Sequence, residues 1–427
     1  LPDFINKKIS EAVDLLCVPA SRFKTNEISV NIAMPLKKET ASDFALAISA
    51  VSRKGRAYPD MTALNVKKDK LYGASLTANI QKVGELQVMK LGVTSLDDRF
   101  SFDGERISVS CLELLLSLLF EPLFDENSMF REEDLNAEKR VLLEKIAAEE
   151  NDKRIYAVRR LEEIMFADEP YGINRFGCAE MIKAATSKSV TDAWKAMLTK
   201  GKILVTVVGN IDMPAAEKLI KERFSSIERN YEPVPKTVFV PVADKVNEVC
   251  QKENIQQGKL VLGFRVDMKP DDERAAAMRS FCDAFGGGPY SKLFANVREK
   301  MSLCYYCSAR YVRQKSYIYI QCGCEEENMQ KAVDEIINQL EEMKKGNCTS
   351  ELDSSKIAVG DLLCSVSDMP TGIEAWYSSQ IADDKFISPD QSAELNNSVT
   401  LDDVVACAKL LSLDTVYRLV SDKEDER

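Results

Sequence analysis

The side chains with the most visible chemistry are four cysteines, Cys304-x-x-Cys307 and Cys322-x-Cys324, two thiol pairs roughly 15 residues apart. That spacing invites a four-thiolate zinc site, because zinc takes sulfur ligands in tetrahedral sets. Against it, a strand through Cys304 and Cys307 would send the two thiols to opposite faces, since side chains alternate along a strand. The second pair ends Tyr317-Ile318-Tyr319-Ile320, which reads as a buried strand, so small buried thiols are the preferred account and no metal ligand is assigned. The sequence contains no histidine. Ser-His and Cys-His nucleophile pairs, imidazole zinc sites and a histidine pH switch are thereby excluded. Gly286-Gly287-Gly288 is not followed by Gly-Lys-Ser/Thr and is not a phosphate loop.

These groups are carried by a chain of 427 residues with 57 basic and 68 acidic side chains, a net charge of −11. A single core rarely grows past about 250–300 residues, so two domains are expected. The acidic balance excludes a generic binder of nucleic acid or anionic membrane. No apolar run approaches the ~20 residues of a spanning helix; Cys111 to Phe120 is short and interrupted by Glu113 and Ser117. Leu1-Pro2-Asp3-Phe4 has no signal-peptide character, and the absence of an initial methionine leaves a trimmed leader open. Twelve cysteines without a compact disulfide framework point to a reducing compartment, and the cytoplasm is expected. The tail Ser421 to Arg427 is mixed in charge and poor in apolar residues and is expected to fray.

Asn230-Tyr231-Glu232-Pro233-Val234-Pro235 interrupts every periodic pattern near the middle of the chain. On each side the same signals follow in the same order. Ile28, Val30 and Ile32 alternate as a half-buried strand, and a helix over Phe44 to Arg53 follows. Leu260, Leu262 and Phe264 alternate likewise, and Ala275 to Phe285 is helical in pattern. Ser189-Val190-Thr191-Asp192 opens a helix leading to the strand Val205 to Gly209; Ser398-Val399-Thr400-Leu401-Asp402 opens another leading to Val416 to Val420, with the threonines as N-caps. Asp134-Leu135 with Lys139 parallels Glu351-Leu352 with Lys356 near the start of a long helix. One such helix runs from about Arg131 to Met165, apolar along one side and densely charged along the other. The reading is a duplication: two related α+β domains, 1–232 and 233–427, each an open sheet covered by helices.

The segment Phe285-Gly286-Gly287-Gly288-Pro289-Tyr290-Ser291-Lys292-Leu293-Phe294, followed by Arg298-Glu299 and Leu303-Cys304-Tyr305, resembles the second-domain signature of the insulinase (pitrilysin-type) metallopeptidase family. Three glycines there would free the backbone for a tight turn, and Leu293, Val297 and Lys300 recur at helical spacing. Leu71-Tyr72-Gly73-Ala74, Leu96-Asp97-Asp98-Arg99-Phe100, Glu121-Pro122-Leu123-Phe124 and Pro170-Tyr171-Gly172 are similar to landmarks of the family's first domain. The resemblance spans almost the whole chain and implies that both sheets are mostly antiparallel. Within the family, the pattern most resembles a bacterial, peptidase-inactive type encoded beside an active paralogue, a type named for aminopentanol modification of elongation factor P.

Active members carry His-x-x-Glu-His on the first long helix and a distal glutamate. Laid on this sequence, the motif falls near Leu46-Ala47-Ile48-Ser49-Ala50, so Leu46, Ser49 and Ala50 stand where the two imidazoles and the general base would be. The distal ligand falls near Glu144. One carboxylate does not hold catalytic zinc, which needs three protein ligands and an open position, so no cofactor and no peptidase activity of its own are expected. The resemblance further implies a dimer with a zinc-bearing paralogue acting on a peptide, and it puts Arg298 and Tyr305 in the place of an arginine and a tyrosine that face the zinc site. A phenol O–H and a guanidinium there would stabilise an oxyanion and hold substrate. The plain alternative pairs Arg298 with Glu299 or Asp283 and packs Tyr305 on a strand. A stand-alone peptide-binding scaffold, and a protein using its cysteines for metal or redox chemistry, are the other two classes.

Overall fold

The structure, a computed structural model, describes residues 4–383 and 385–422, so most of the tail Ser421 to Arg427 and most of the leading Leu1-Pro2-Asp3-Phe4 lie outside the described residues. Six strands, β1 (Ile5–Ser10), β2 (Val13–Val18), β3 (Thr25–Pro35), β4 (Ser75–Val83), β5 (Leu86–Leu96) and β6 (Lys202–Val208), form a sheet in the order β1-β2-β6-β3-β5-β4. Five more, β7 (Asn247–Glu253), β8 (Lys259–Val266), β9 (Tyr306–Val312), β10 (Tyr317–Gly323) and β11 (Leu411–Ser421), form a second in the order β7-β11-β8-β10-β9. With β1 set aside the two sheets are the same. β2 lies parallel to β6 as β7 lies parallel to β11, and every other neighbouring pair is antiparallel.

Local contacts repeat the duplication. Thr186 caps the helix Ser187–Lys200 through a reciprocal box with Ser189, and Thr400 caps Leu401–Ala408 through one with Asp403. Thr191, expected as a cap from its sequence, lies one turn inside its helix, where its hydroxyl donates to the Ser187 carbonyl. Lys139 donates to the Ala185 carbonyl at 2.5 Å, and Lys356 to that of Asn397 at 3.2 Å. Each lysine thus satisfies a carbonyl at the end of the short helix before a threonine-capped one, where a cation also complements the helix dipole.

Each sheet packs one face on helices to form its main core. Ile28, Val30 and Ile32 of β3 meet Phe44, Ile48 and Leu115 in the first core; Leu260, Leu262 and Phe264 of β8 meet Phe281, Phe285 and Ile336 in the second. The opposite faces are also buried. The chain divides into two compact units, one of Leu1–Ile146, Ile173–Lys236 and Ser365–Ser388, the other of Ala147–Gly172, Thr237–Cys364 and Pro389–Arg427. The chain passes from one unit to the other at Lys236/Thr237, just after the proline-rich segment, and each unit also takes a helical segment from the other half of the sequence. The helix expected over Arg131 to Met165 is two helices, Glu132–Asn151 and Lys153–Met165. Asp152 separates them with extended backbone and a side chain that accepts from the Arg154 and Ile155 amides.

In the first unit the borrowed helix is Pro370–Ser378. Ile373 and Tyr377 pack with Ile381 on Leu16, Val88 and Leu204, each fully buried apolar side chain contributing roughly 1.5–3 kcal/mol. Glu374 of the same helix is 0% exposed. It accepts from Ser29 Oγ at 2.6 Å and Asn31 Nδ2 at 3.1 Å and pairs with Lys90, which also lies 3.6 Å from Glu27. The polar members of the β3 alternation, which by themselves suggest a solvent face, are thus buried under a helix and answered by its carboxylate. Burial is the main influence on Glu27 and pushes its carboxyl up.

In the second unit the borrowed helix is Lys153–Met165, continued by Phe166 and Tyr171. Leu161 and Met165 press onto β8 at Gly263, where any Cβ would lie 2.6 Å from the Met165 sulfur. Phe166, Tyr171 and Tyr317 meet edge to face with centroids 5.0–5.6 Å apart, and the Tyr317 hydroxyl donates to Glu162 at 2.5 Å. Arg265, buried on β8, pairs with Glu169 at 2.7 Å and Asp414 at 2.8 Å and donates to the Met165 carbonyl.

Removing one partner of a buried ionic set leaves the others uncompensated. Lys90→Met is expected to lower stability by about 3–5 kcal/mol, and Glu374→Gln, which relieves the competition of two carboxylates for one lysine, by less; urea unfolding midpoints of the two variants check the order. Arg265→Met, which strands Asp414 in the second unit, is expected to cost about 3–5 kcal/mol, read as a lowered melting temperature.

Candidate functional site

The Ala41–Val51 helix settles what happens at the expected zinc position. Leu46, Ala47, Ile48 and Ala50 all belong to the first apolar core. Ser49 Oγ turns back onto the Ala45 carbonyl at 2.9 Å. Glu144 is exposed on Glu132–Asn151, and the buried carboxylate of that helix is Glu138, 3.6 Å from Arg53. Burial pushes the Glu138 carboxyl up, with Arg53 opposing. Asp134 beside it pairs with Lys54 at 2.5 Å and Arg131 at 2.6 Å. A zinc ion does not fit here: Leu46 and Ala50 present only hydrocarbon, and the nearby carboxylates are matched by the protein's own cations.

The Arg298–Tyr305 segment is held by the packing around the three glycines. None of these has a left-handed backbone. Their requirement is space: a Cβ on Gly286 would stand 2.6 Å from the Ala309 amide of β9, and one on Gly287 would stand 2.0 Å from Asp283 Oδ1. Gly286 therefore allows close packing of the Ala275–Gly286 helix on the sheet, and the turn expected from the glycine run follows it, closed by the Ser291 amide donating to the Gly288 carbonyl at 2.9 Å. Tyr290 donates to Asp283 at 2.5 Å, and Leu293 and Val297 are buried ahead of and within a π-helical turn, Phe294–Lys300. Ser302 then takes φ 52°, an uncommon conformation for a residue with a Cβ, and Tyr305 N reaches the Gly323 carbonyl at 2.8 Å as β9 begins.

Arg298 lies over the Phe294 ring at 4.4 Å with its Nε 3.4 Å from Glu299. Asp283, the other acid considered for it, accepts from Tyr290. Tyr305 does not pack on the strand. It is 62% exposed, and its hydroxyl meets Glu325 at 3.2 Å. The hydrogen bond to Glu325 and its charge raise the phenol's pKa, so the group keeps its proton and remains a donor. Arg154, which sequence reasoning did not single out, stacks 4.0 Å over the ring of Tyr306; no spacing in the sequence signals that contact.

Beneath this segment the thiols gather. The sulfurs of Cys304, Cys307 and Cys322 lie within 4.8 Å of one another, the one group of three or more potential metal-ligating side chains found this close among the described residues. Cys307 and Cys322 are directly opposed across β9 and β10, with sulfurs 3.1 Å apart. The expected divergence of Cys304 and Cys307 fails because Cys304 precedes β9, where strand alternation does not operate. Cys324 likewise follows the end of β10 and is not in the group. Hydrogen bonds from Cys307 and Cys322 hold the Cys304 thiol well below its usual range, and Arg298 adds to the effect. The contact with Cys304 pushes both of the others up.

Comparison with known proteins agrees with the fold. The family described as peptidase M16 inactive domain matches residues 184–358. A probable inactive metalloprotease, YmfF of Bacillus subtilis, is 28% identical over 406 residues, covering 94% of each chain. An uncharacterized zinc protease of Rickettsia felis is 22% identical, covering 69% of this chain and 72% of its own. A conserved protein of Enterococcus faecalis superposes with a TM-score of 0.90 at 23% identity, covering 99% of this chain and 100% of that one. A peptidase M16 inactive domain of Pseudomonas fluorescens superposes at 0.78 with 15% identity, covering 100% of both. Among the described residues no helix is long and apolar enough to cross a membrane. With two sheets of one topology, the match over residues 184–358 and a probable inactive metalloprotease similar over 94% of its length, the chain is similar to peptidase M16 proteins of the inactive type, and it carries no His-x-x-Glu-His.

Proposed function

We propose that the chain is a non-catalytic, peptide-binding subunit that dimerises with a zinc-bearing paralogue in the cytoplasm and lends it Arg298 and Tyr305. The observation that carries the reading is the exposure of Tyr305, with its hydroxyl directed at a surface carboxylate and no aromatic packing to account for it. Arg298 is likewise half-exposed, over the Phe294 ring and 3.4 Å from its sequence neighbour Glu299. Both side chains are free to exchange those surface acids for a substrate carbonyl or the oxyanion of a hydrated peptide bond, where a fixed donor is worth far more than in water. An edge strand supports the peptide-binding part of the reading. β4 ends its sheet, and an extended peptide can add to such an edge through main-chain hydrogen bonds.

The test begins with affinity capture of a similar-sized chain carrying His-x-x-Glu-His, followed by peptidase assays of the pair. The purified chain alone is expected to be inactive. Tyr305→Phe and Arg298→Ala are expected to lower turnover of the pair by about 10²-fold at unchanged assembly, the usual effect of deleting an oxyanion donor. Unaltered turnover in both variants removes the proposal, and a chain that recovers only itself is a self-contained peptide binder.

The pH profile gives a second check. A phenol with a raised pKa holds its donor proton until the pH passes its folded value, so the Tyr305 contribution is present through neutrality and lost only above about pH 10. The ratio of wild-type to Tyr305→Phe turnover is therefore expected to stay flat between about pH 6 and 9; a fall within that window contradicts the assigned role.

A further inference from the structure

We propose that Cys304, Cys307 and Cys322 form a buried three-thiolate site for a soft d10 metal ion, Cu(I) or Zn(II). With metal–sulfur bonds of about 2.3 Å, three sulfurs around one ion stand about 3.7–4.0 Å apart. The three here already lie within 4.8 Å of one another, so small side-chain adjustments close the site. Three different backbone settings converge on it: the irregular stretch before β9, β9 itself and β10. Thiolate ligands select Cu(I) and Zn(II) over the hard cations that carboxylates prefer.

The surroundings suit an ion with excess ligand charge. The three residues are at most 8% exposed, which keeps competing water scarce. Three thiolates exceed the charge of either ion, and the Arg298 guanidinium acts on Cys304 from nearby, offsetting the surplus. A cross-strand Cys307–Cys322 disulfide would use two of the sulfurs and leave the convergence of Cys304 unexplained. The site is independent of any partner subunit, yet it ties the stretch before β9 to the sheet one residue from Tyr305. Loading would therefore stiffen the segment that carries the exposed phenol.

The experiment uses the full chain, reduced and stripped of metal under argon, then given one equivalent of Cu(I) or, separately, Zn(II) and desalted. One ion per chain is expected to remain in at least one arm, with three sulfur neighbours at about 2.3 Å by X-ray absorption. Comparing the arms separates a three-coordinate Cu(I) centre from a Zn(II) centre that recruits a fourth, light-atom ligand. Cys307→Ser is expected to lose at least about nine-tenths of the retained ion, and Cys324→Ser to keep it. The wild-type sulfur count stands even if the serine variant misfolds. Retention of neither ion by the reduced wild-type chain, fewer than three sulfurs around a retained ion, or full retention by a folded Cys307→Ser overturns the proposal.

Discussion

Both units depend on burying the second face of a sheet that also carries polar side chains. Ser29, Asn31 and Lys90 in one sheet, and Arg265 and Tyr317 in the other, would be costly to bury without partners. Each face is closed by a helical segment from the other half of the sequence, and each segment, with the residues that follow its helix, supplies both apolar cover and carboxylate. Glu374 answers the first set, while Glu162 and Glu169 answer the second. Apolar burial provides the stabilisation; the buried ionic contacts restrict which helix can sit there and in which register. Folding of each unit therefore requires segments far apart in sequence, and neither half of the chain cut at the central prolines contains a complete unit.

The same packing logic accounts for the absent zinc chemistry. In the Ala41–Val51 helix Leu46 and Ala50, where the resemblance puts imidazoles, belong to the apolar core, and the cations Arg53, Lys54 and Arg131 meet the carboxylates of the adjoining helix. A helix face that holds zinc must keep donors free of the core, whereas this one gains stability by burying leucine and alanine. The close approach at Gly286 and the anchors Leu293 and Val297 fix the backbone while leaving Arg298 and Tyr305 outside the core. The thiol cluster lies under that segment and joins its chain to two strands.

Much of this was legible before any coordinates. Alternation at Ile28, Val30 and Ile32, its echo at Leu260, Leu262 and Phe264, and the repeated threonine starts defined two similar α+β halves, because hydrophobic period and capping chemistry are local properties. The lack of histidine alone disposed of the zinc motif. Attention to Arg298 and Tyr305 came from the family resemblance, since no spacing rule singles them out. The helix break at Asp152 was readable in principle, since an aspartate that accepts from the next two or three amides is a local stop and start.

The sequence by itself thus determined the duplication, the strand and helix alternation and the absence of histidine ligands, all of which follow from residue type and short-range spacing. Only tertiary structure decided which helix covers which sheet, because an amphipathic helix pattern specifies that a face is buried and not against what. It also decided that the polar face of β3 is interior, that Gly286 is pressed against Ala309 of β9, and that Cys304 joins Cys307 and Cys322. That last convergence depends on where β9 and β10 begin and end, and a shift of one residue in a strand boundary redirects a side chain that periodicity alone would have sent the other way.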